Sequence, residues 1–143
     1  MDVSEIRKQI IHALDRARKD AEARRHATDQ ATVEYEAFLT DVAAPLFRQA
    51  ANVLRALGHD FTINTPAGSV RLESAAAQEY LELELDARGG RAQVIARTAV
   101  MRSRGGPLIE ERPLAAQKKI SDLADDDVAA FLSEEIPKLI LRN

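Results

Sequence analysis

The chain has 143 residues and a mass of 15.8 kDa, with 45% apolar and 30% charged side chains, a formal net charge of -3, and neither cysteine nor tryptophan. That length suits one globular domain able to bury roughly 68–70% of its unfolded surface, and the composition is that of a folded chain, not a disordered one. Without cysteine there is no disulfide framework, zinc ribbon, iron–sulfur site or cysteine nucleophile, and a mildly acidic balance argues against bulk binding to nucleic acid or anionic lipid.

Cysteine-free composition fits a reducing compartment, and a cytoplasmic location is the expectation. The start, Met1-Asp2-Val3-Ser4-Glu5, lacks a basic segment followed by an apolar run, so no signal peptide is expected. No window approaches the length of uninterrupted apolar residues that spans a bilayer, so no membrane partner is expected.

The first glycine is Gly58, and Pro45 is the only proline before it, which marks the N-terminal part as helical. Positions alternating by four and three, from Val3 to Val42, are apolar at nine of twelve places. This spacing predicts one long amphipathic helix or two stacked ones. Its strong hydrophobes lie at the two ends, with Arg24 and Thr28 interrupting the middle. Val3, Ile10, Leu14, Ala17, Ala21, Ala31, Tyr35, Phe38 and Val42 form the expected oligomer interface. Pro45 then kinks the helix or starts a new one capped by Thr40 or Asp41. On that second helix Leu46, Phe47, Ala50, Val53, Leu54 and Leu57 would be buried, and Gly58 would end it.

Roughly forty helical residues span about 60 Å, whereas a compact chain of this size has a radius of gyration near 14–15 Å, or about 40 Å across. The helix must therefore overhang its domain, fold back within Arg25–Asp29, or lie on another chain. Because no glycine or proline occurs in Arg25–Asp29, pairing with a second copy, a dimer first of all, is the favoured expectation. Residues 1–58 read as a helical assembly segment and 59–143 as a sheet with a C-terminal helix, together one structural domain.

The middle of the chain alternates with period two, the grammar of an antiparallel meander. Phe61 and Ile63 precede a turn at Thr65–Gly68, and Val70 and Leu72 follow it, with Ser74–Ala77 connecting onward. Tyr80–Asp86 sets three leucines on one face and acids on the other. A hairpin through Arg88–Arg91 leads to a fourth strand over roughly 92–103. The register that places Val94, Ala96 and Thr98 on the leucine face also brings Arg97 to Glu82 and Glu84. Gly105-Gly106-Pro107 turns into Leu108–Leu114, where Pro113 marks an edge strand or its end. From Ile120 a helix follows, with Asp125, Asp126 and Asp127 at its start and Val128, Phe131, Leu132, Ile136, Leu139 and Ile140 as its apolar stripe; Pro137 should kink it.

Chemistry-bearing residues are scattered. His12, His26 and His59 have no nucleophile at a useful spacing, and the Asp125–Asp127 run lacks the glycine and distal glutamate of a calcium loop. The acid row Glu82, Glu84, Asp86 resembles a glycosidase pair only until its arginine neighbours are counted. Arg102 and Arg104, beside the Gly105-Gly106 turn, form a basic site able to meet phosphates. Segment 59–115 nevertheless carries eight acids against seven arginines and two aromatics, so nucleic acid is an unfavoured partner. No nucleotide motif occurs. No catalytic residue, metal site or cofactor is assigned.

One apolar feature stands out: the strand face bearing Arg97 also bears Ile95, Ala99 and Met101. Such a stripe calls for cover by a helix of the chain or marks a contact patch for another chain or ligand, with the intramolecular cover preferred. The expected fold class is α+β: a long N-terminal helix or kinked helical pair, a four- to five-stranded antiparallel meander, and a C-terminal helix on the Leu81/Leu83/Leu85 face. This element order resembles, at fold level alone, small bacterial proteins that dimerise and bind DNA or partners. The expected function is a non-enzymatic, homo-oligomeric interaction module assembled through the N-terminal helix, with a protein partner. The alternatives are a small-ligand binder with a pocket between helix and sheet where Ala96, Thr98 and Ala99 leave room, or a nucleic-acid-associated protein.

Overall fold

The glycine-free N-terminal stretch forms a continuous helical rod in the computed structural model, which describes residues 2–75, 78–88, 91–102 and 104–141. Helix α1 runs Val3–Phe38, a single π-helical turn follows at Leu39–Ala43, and α2 runs Ala44–Ala56. There is no fold-back at Arg25–Asp29; with no breaker there, the helix passes straight through. Nor do Thr40 or Asp41 cap a new helix. The backbone stays helical, and the Ala44 N–H bonds to the Leu39 carbonyl five residues back. This widened turn solves two problems at once. It gives room near Pro45, whose ring would press on the fourth carbonyl before it in a regular helix. It also shifts the buried stripe by one residue, from Ala31, Tyr35 and Phe38 to Ala43, Phe47, Ala51 and Leu54. The expected α2 face is corrected accordingly: Leu46 and Ala50 are half-buried, while Val53 and Leu57 are exposed. Gly58, at φ +91°, ends the rod as the His59 N–H returns to the Leu54 carbonyl at 2.8 Å.

Five antiparallel strands follow in the order of the sequence: β1 (Phe61–Asn64), β2 (Ser69–Ser74), β3 (Tyr80–Asp86), β4 (Gln93–Met101) and β5 (Pro107–Pro113). The expected register is found, with Leu85, Leu83 and Leu81 opposite Val94, Ala96 and Thr98, and Glu82 opposite Arg97. β5 is an edge strand that ends at Pro113, where the ring removes a donor from the ladder. The Gly89-Gly90 part of the β3–β4 hairpin, Ala76 and Ala77 of the connector, and Ser103 lie outside the described residues.

The C-terminal segment begins as a 3₁₀ turn at Ile120–Asp122 and becomes α3 over Asp125–Ile140. Asp127 reaches back to accept the Ala124 N–H at 2.9 Å and the Lys118 ammonium at 3.0 Å, so this acid holds the helix start in place. The helix continues through Pro137 to Ile140. Phe47 and Leu54 of α2 and Val128 and Phe131 of α3 meet Val70, Leu72, Leu81 and Leu83 in one buried cluster. The fold is α+β, with both helices on the leucine face.

Candidate functional site

The described residues offer a partner or ligand the projecting end of α1, the sheet face opposite the helices, and a groove between α2 and α3.

Asp2 caps the rod by accepting the Ser4 N–H, and from there to Gln30 every residue is exposed except the half-buried Ala21. This arm is about 42 Å long at 1.5 Å per residue. It carries Val3, Ile6, Ile10, Ile11 and Leu14 in water, with Val3 80% and Leu14 58% exposed. An aliphatic side chain gains about 1.5–3 kcal/mol on full burial, so this stripe is a large unrealised driving force for association. The expected stripe is divided in the structure. Val3, Ile10, Leu14 and Ala17 lie free on the arm, and Ala21 lies half-buried on it. Ala31, Tyr35 and Phe38 are buried in the chain's own core, and Val42 packs partly buried against it. They belong to the intramolecular fold because the rod enters the chain's own core from Ala31 onward. Tyr35 anchors that junction, donating from Oη to the Gly68 carbonyl at 2.7 Å and lying 3.3 Å from the Leu83 carbonyl. Ile6 and Ile11 fall outside the four-three series that starts at Val3. A wider template, three and eight residues on, would have included them.

Ile95, Arg97, Ala99 and Met101 do share one face of β4, but neither α2 nor α3 covers it. Side chains of the sheet do so instead, which corrects the expectation of a helical lid. Glu82, only 3% exposed in its side chain, is the hub. It takes Arg71 through Nε and Nη2 at 2.9 and 2.8 Å, Arg97 through Nη1, and the Ser69 hydroxyl at 3.3 Å. Arg97 also pairs with Glu111 at 2.9 Å and lies 3.6 Å from Glu84. The Glu111 hydrogen bond first, and Glu82 after it, hold the Arg97 guanidinium charge more firmly than usual against its partial burial. Arg71 stacks over the Tyr80 ring at 3.9 Å. Beside this network lies an open cleft of about 640 Å³ lined by Arg71, Glu73, Tyr80, Ala99, Met101 and Ile109. A carboxylate that accepts from three side chains is a structural charge, and the arginines it holds are committed in turn.

The α2–α3 groove has a volume of about 560 Å³ and is walled mainly by hydrocarbon, with Leu46, Val53, Leu57, Leu132 and Ile136 along it and His59 at one side. Sequence reading missed it because it assigned Val53 and Leu57 to the core. The expected pocket site between helix and sheet is occupied differently: Ala96 and Thr98 are buried under the helices, and Ala99 faces the cleft on the other side.

Arg102 and Arg104 are both exposed just beyond β4, and Arg102 donates to the Gly106 carbonyl at 3.4 Å across the turn. His12 and His26 ride on the arm, far from His59. Among the described residues, no three His, Asp or Glu side chains converge on a metal-sized site, and no helix is long and apolar enough to cross a membrane.

No family model, characterised protein or solved structure matches this chain.

Proposed function

We propose that the protein is a non-enzymatic, homo-oligomeric interaction module, an adaptor that assembles through its N-terminal helix and presents its sheet domain to a protein partner. One observation carries this reading: five aliphatic side chains stand in water on a helix that extends beyond its own domain. Most helical stability in proteins comes from packing an apolar face, and this stripe has no such packing on its own chain. A second copy supplies that packing without any other molecule. The commitment of Glu82 to three donors supports a structural role for the acid row rather than proton transfer. The cysteine-free composition suits the cytoplasm.

Light scattering over a dilution series tests the reading. The wild-type chain is expected at twice 15.8 kDa, and Ile10→Asp with Leu14→Asp at 15.8 kDa with unchanged helical circular dichroism. A wild-type monomer at every concentration overturns it. A second reading, an apolar small-ligand binder, is favoured by the α2–α3 groove, which has hydrocarbon walls and a size suited to small molecules. Its mark is a rise in melting temperature with a medium-chain fatty acid, abolished by Val53→Asp while the mass stays the same.

A further inference from the structure

The free arm specifies the direction in which two copies meet. This inference rests on the arm being the assembly surface and adds the orientation and register of the pair. Two heptad frames fit the exposed residues. The frame with Leu14 in the seam also brings Arg7 there, burying a like-charged pair. The other places Val3, Ile10 and Ala17 at the first seam position and Ile6 and Ala13 at the second, with Arg7 outside. Only in the second is the seam free of charge from Val3 to Ala17. Leu14 flanks it, and Ile11 lies outside it.

In that frame a parallel partner stacks like on like: Val3, Ile6 and Ile10 form large layers, and Ala13 and Ala17 form small ones that let the helices approach closely. The flanking positions then set Asp2 of one chain beside Arg7 of the other on both sides of the pair, two favourable contacts at the tip. One antiparallel alignment opposes Ile6 to Ala17 and Val3 to Asp20, and sets Arg7 beside Leu14, with no compensating ion pair. A shorter one opposes Ile6 to Ile10 and sets Asp2 beside Arg16, but it brings the two Arg7 side chains together and leaves Ala17 out of the seam. Continuing the parallel frame brings Asp20 and then Arg24 into the seam, so pairing ends there. The same rod enters its own core at Ala31, about 21 Å beyond Ala17, so the seam ends before either sheet domain begins. We infer that two copies of this chain pair in parallel through Val3–Ala17, with their sheet domains side by side at the same end.

Disulfide mapping tests this directly, because the chain has no cysteine of its own. Ala17→Cys alters one exposed methyl and leaves the fold alone. In the parallel pair the two introduced thiols face each other within disulfide reach. In the first antiparallel alignment they stand about 16 Å apart along the helices. Under mild oxidant, Ala17→Cys should give a covalent dimer at least about tenfold more abundant than Glu22→Cys, which points away from the seam. A covalent product only when Ala17→Cys is mixed with Ile6→Cys overturns the parallel orientation and leaves the assembly reading standing. Loss of the dimer mass on Val53→Asp, without crosslinking of Ala17→Cys, overturns arm pairing in favour of an arm seated in a neighbour's α2–α3 groove. A wild-type monomer by light scattering overturns both this inference and the reading beneath it.

Discussion

Tyr35 stands where the free rod becomes part of the domain, and its hydroxyl is the polar half of that junction. Burial, with Glu84 and Glu82 adding to it, pushes its ionisation well above the usual phenol range. The folded state therefore keeps the proton in alkaline conditions under which the unfolded chain loses it. Stability from this group is complete below about pH 10 and falls as pH rises above that value. Tyr35→Phe removes the hydrogen bond to the Gly68 carbonyl and should cost about 1 kcal/mol at pH 7, or about 2–4 °C in melting temperature. Urea denaturation at pH 7 and again near pH 11 checks both parts, since the gap between wild type and Tyr35→Phe should narrow at the higher pH. Glu82 makes a second residue-scale case. Glu82→Gln leaves Arg71 and Arg97 without their shared counter-ion in a partly buried setting. It should lower stability by about 2 kcal/mol in the same measurement while leaving the oligomer mass unchanged.

At the scale of elements, the sheet was the most legible part of the sequence. Period-two alternation assigns each residue of β3 and β4 to a face, and a one-residue slip would have put Arg97 among the leucines. The π turn was not legible. Val42 and Ala43 are both apolar, so the pattern alone does not show where the buried stripe slips from one series to the other. The slip appears only in the five-residue step from Phe38 to Ala43, which the packing of α2 on the sheet decides. Deleting Thr40, an exposed residue of that turn, should restore a regular helix and keep Phe47, Ala51 and Leu54 on the sheet. It would also bring the Pro45 ring against a backbone carbonyl, at a cost of about 3 kcal/mol. Adding Pro45→Ala to the deletion should recover most of that loss in a thermal melt. A deletion of Arg48 inside α2 has no such rescue, because it turns the rest of the helix by about 100°.

For the whole molecule, hydrophobic periodicity showed that the N-terminal helix has an apolar face but not what covers it. The same stripe serves two ends: Tyr35 and Phe38 go to the chain's own core, while Ile10 and Leu14 go to the surface. Arg24 and Thr28 between them were the visible sign of a boundary, since a charged and a polar side chain interrupt the face before the domain begins. The β4 patch was placed correctly on one face, but its cover was misjudged. Arg71, Tyr80 and Glu111 come from other strands, and only the folded register brings them over Ala99 and Arg97. The α2–α3 groove depends on the angle and spacing of two helices, which no local pattern encodes.

The unbroken rod has a geometric consequence. With no hinge between Ile10 and Tyr35, the arm is a ruler and a compass needle at once. Each residue in it sets a separation of about 1.5 Å and a heading of about 100° between the tip and the sheet domain. Seven residues added between Asp20 and Gln30 would move the domain outward by about 10 Å and preserve its heading to within about 20°. Two or five would swing the domain to the far side of the tip, by about 200° or about 140°. Spacing and facing cannot be tuned independently here, so tolerated length changes in the arm should come in steps near whole turns, seven or eleven residues above all.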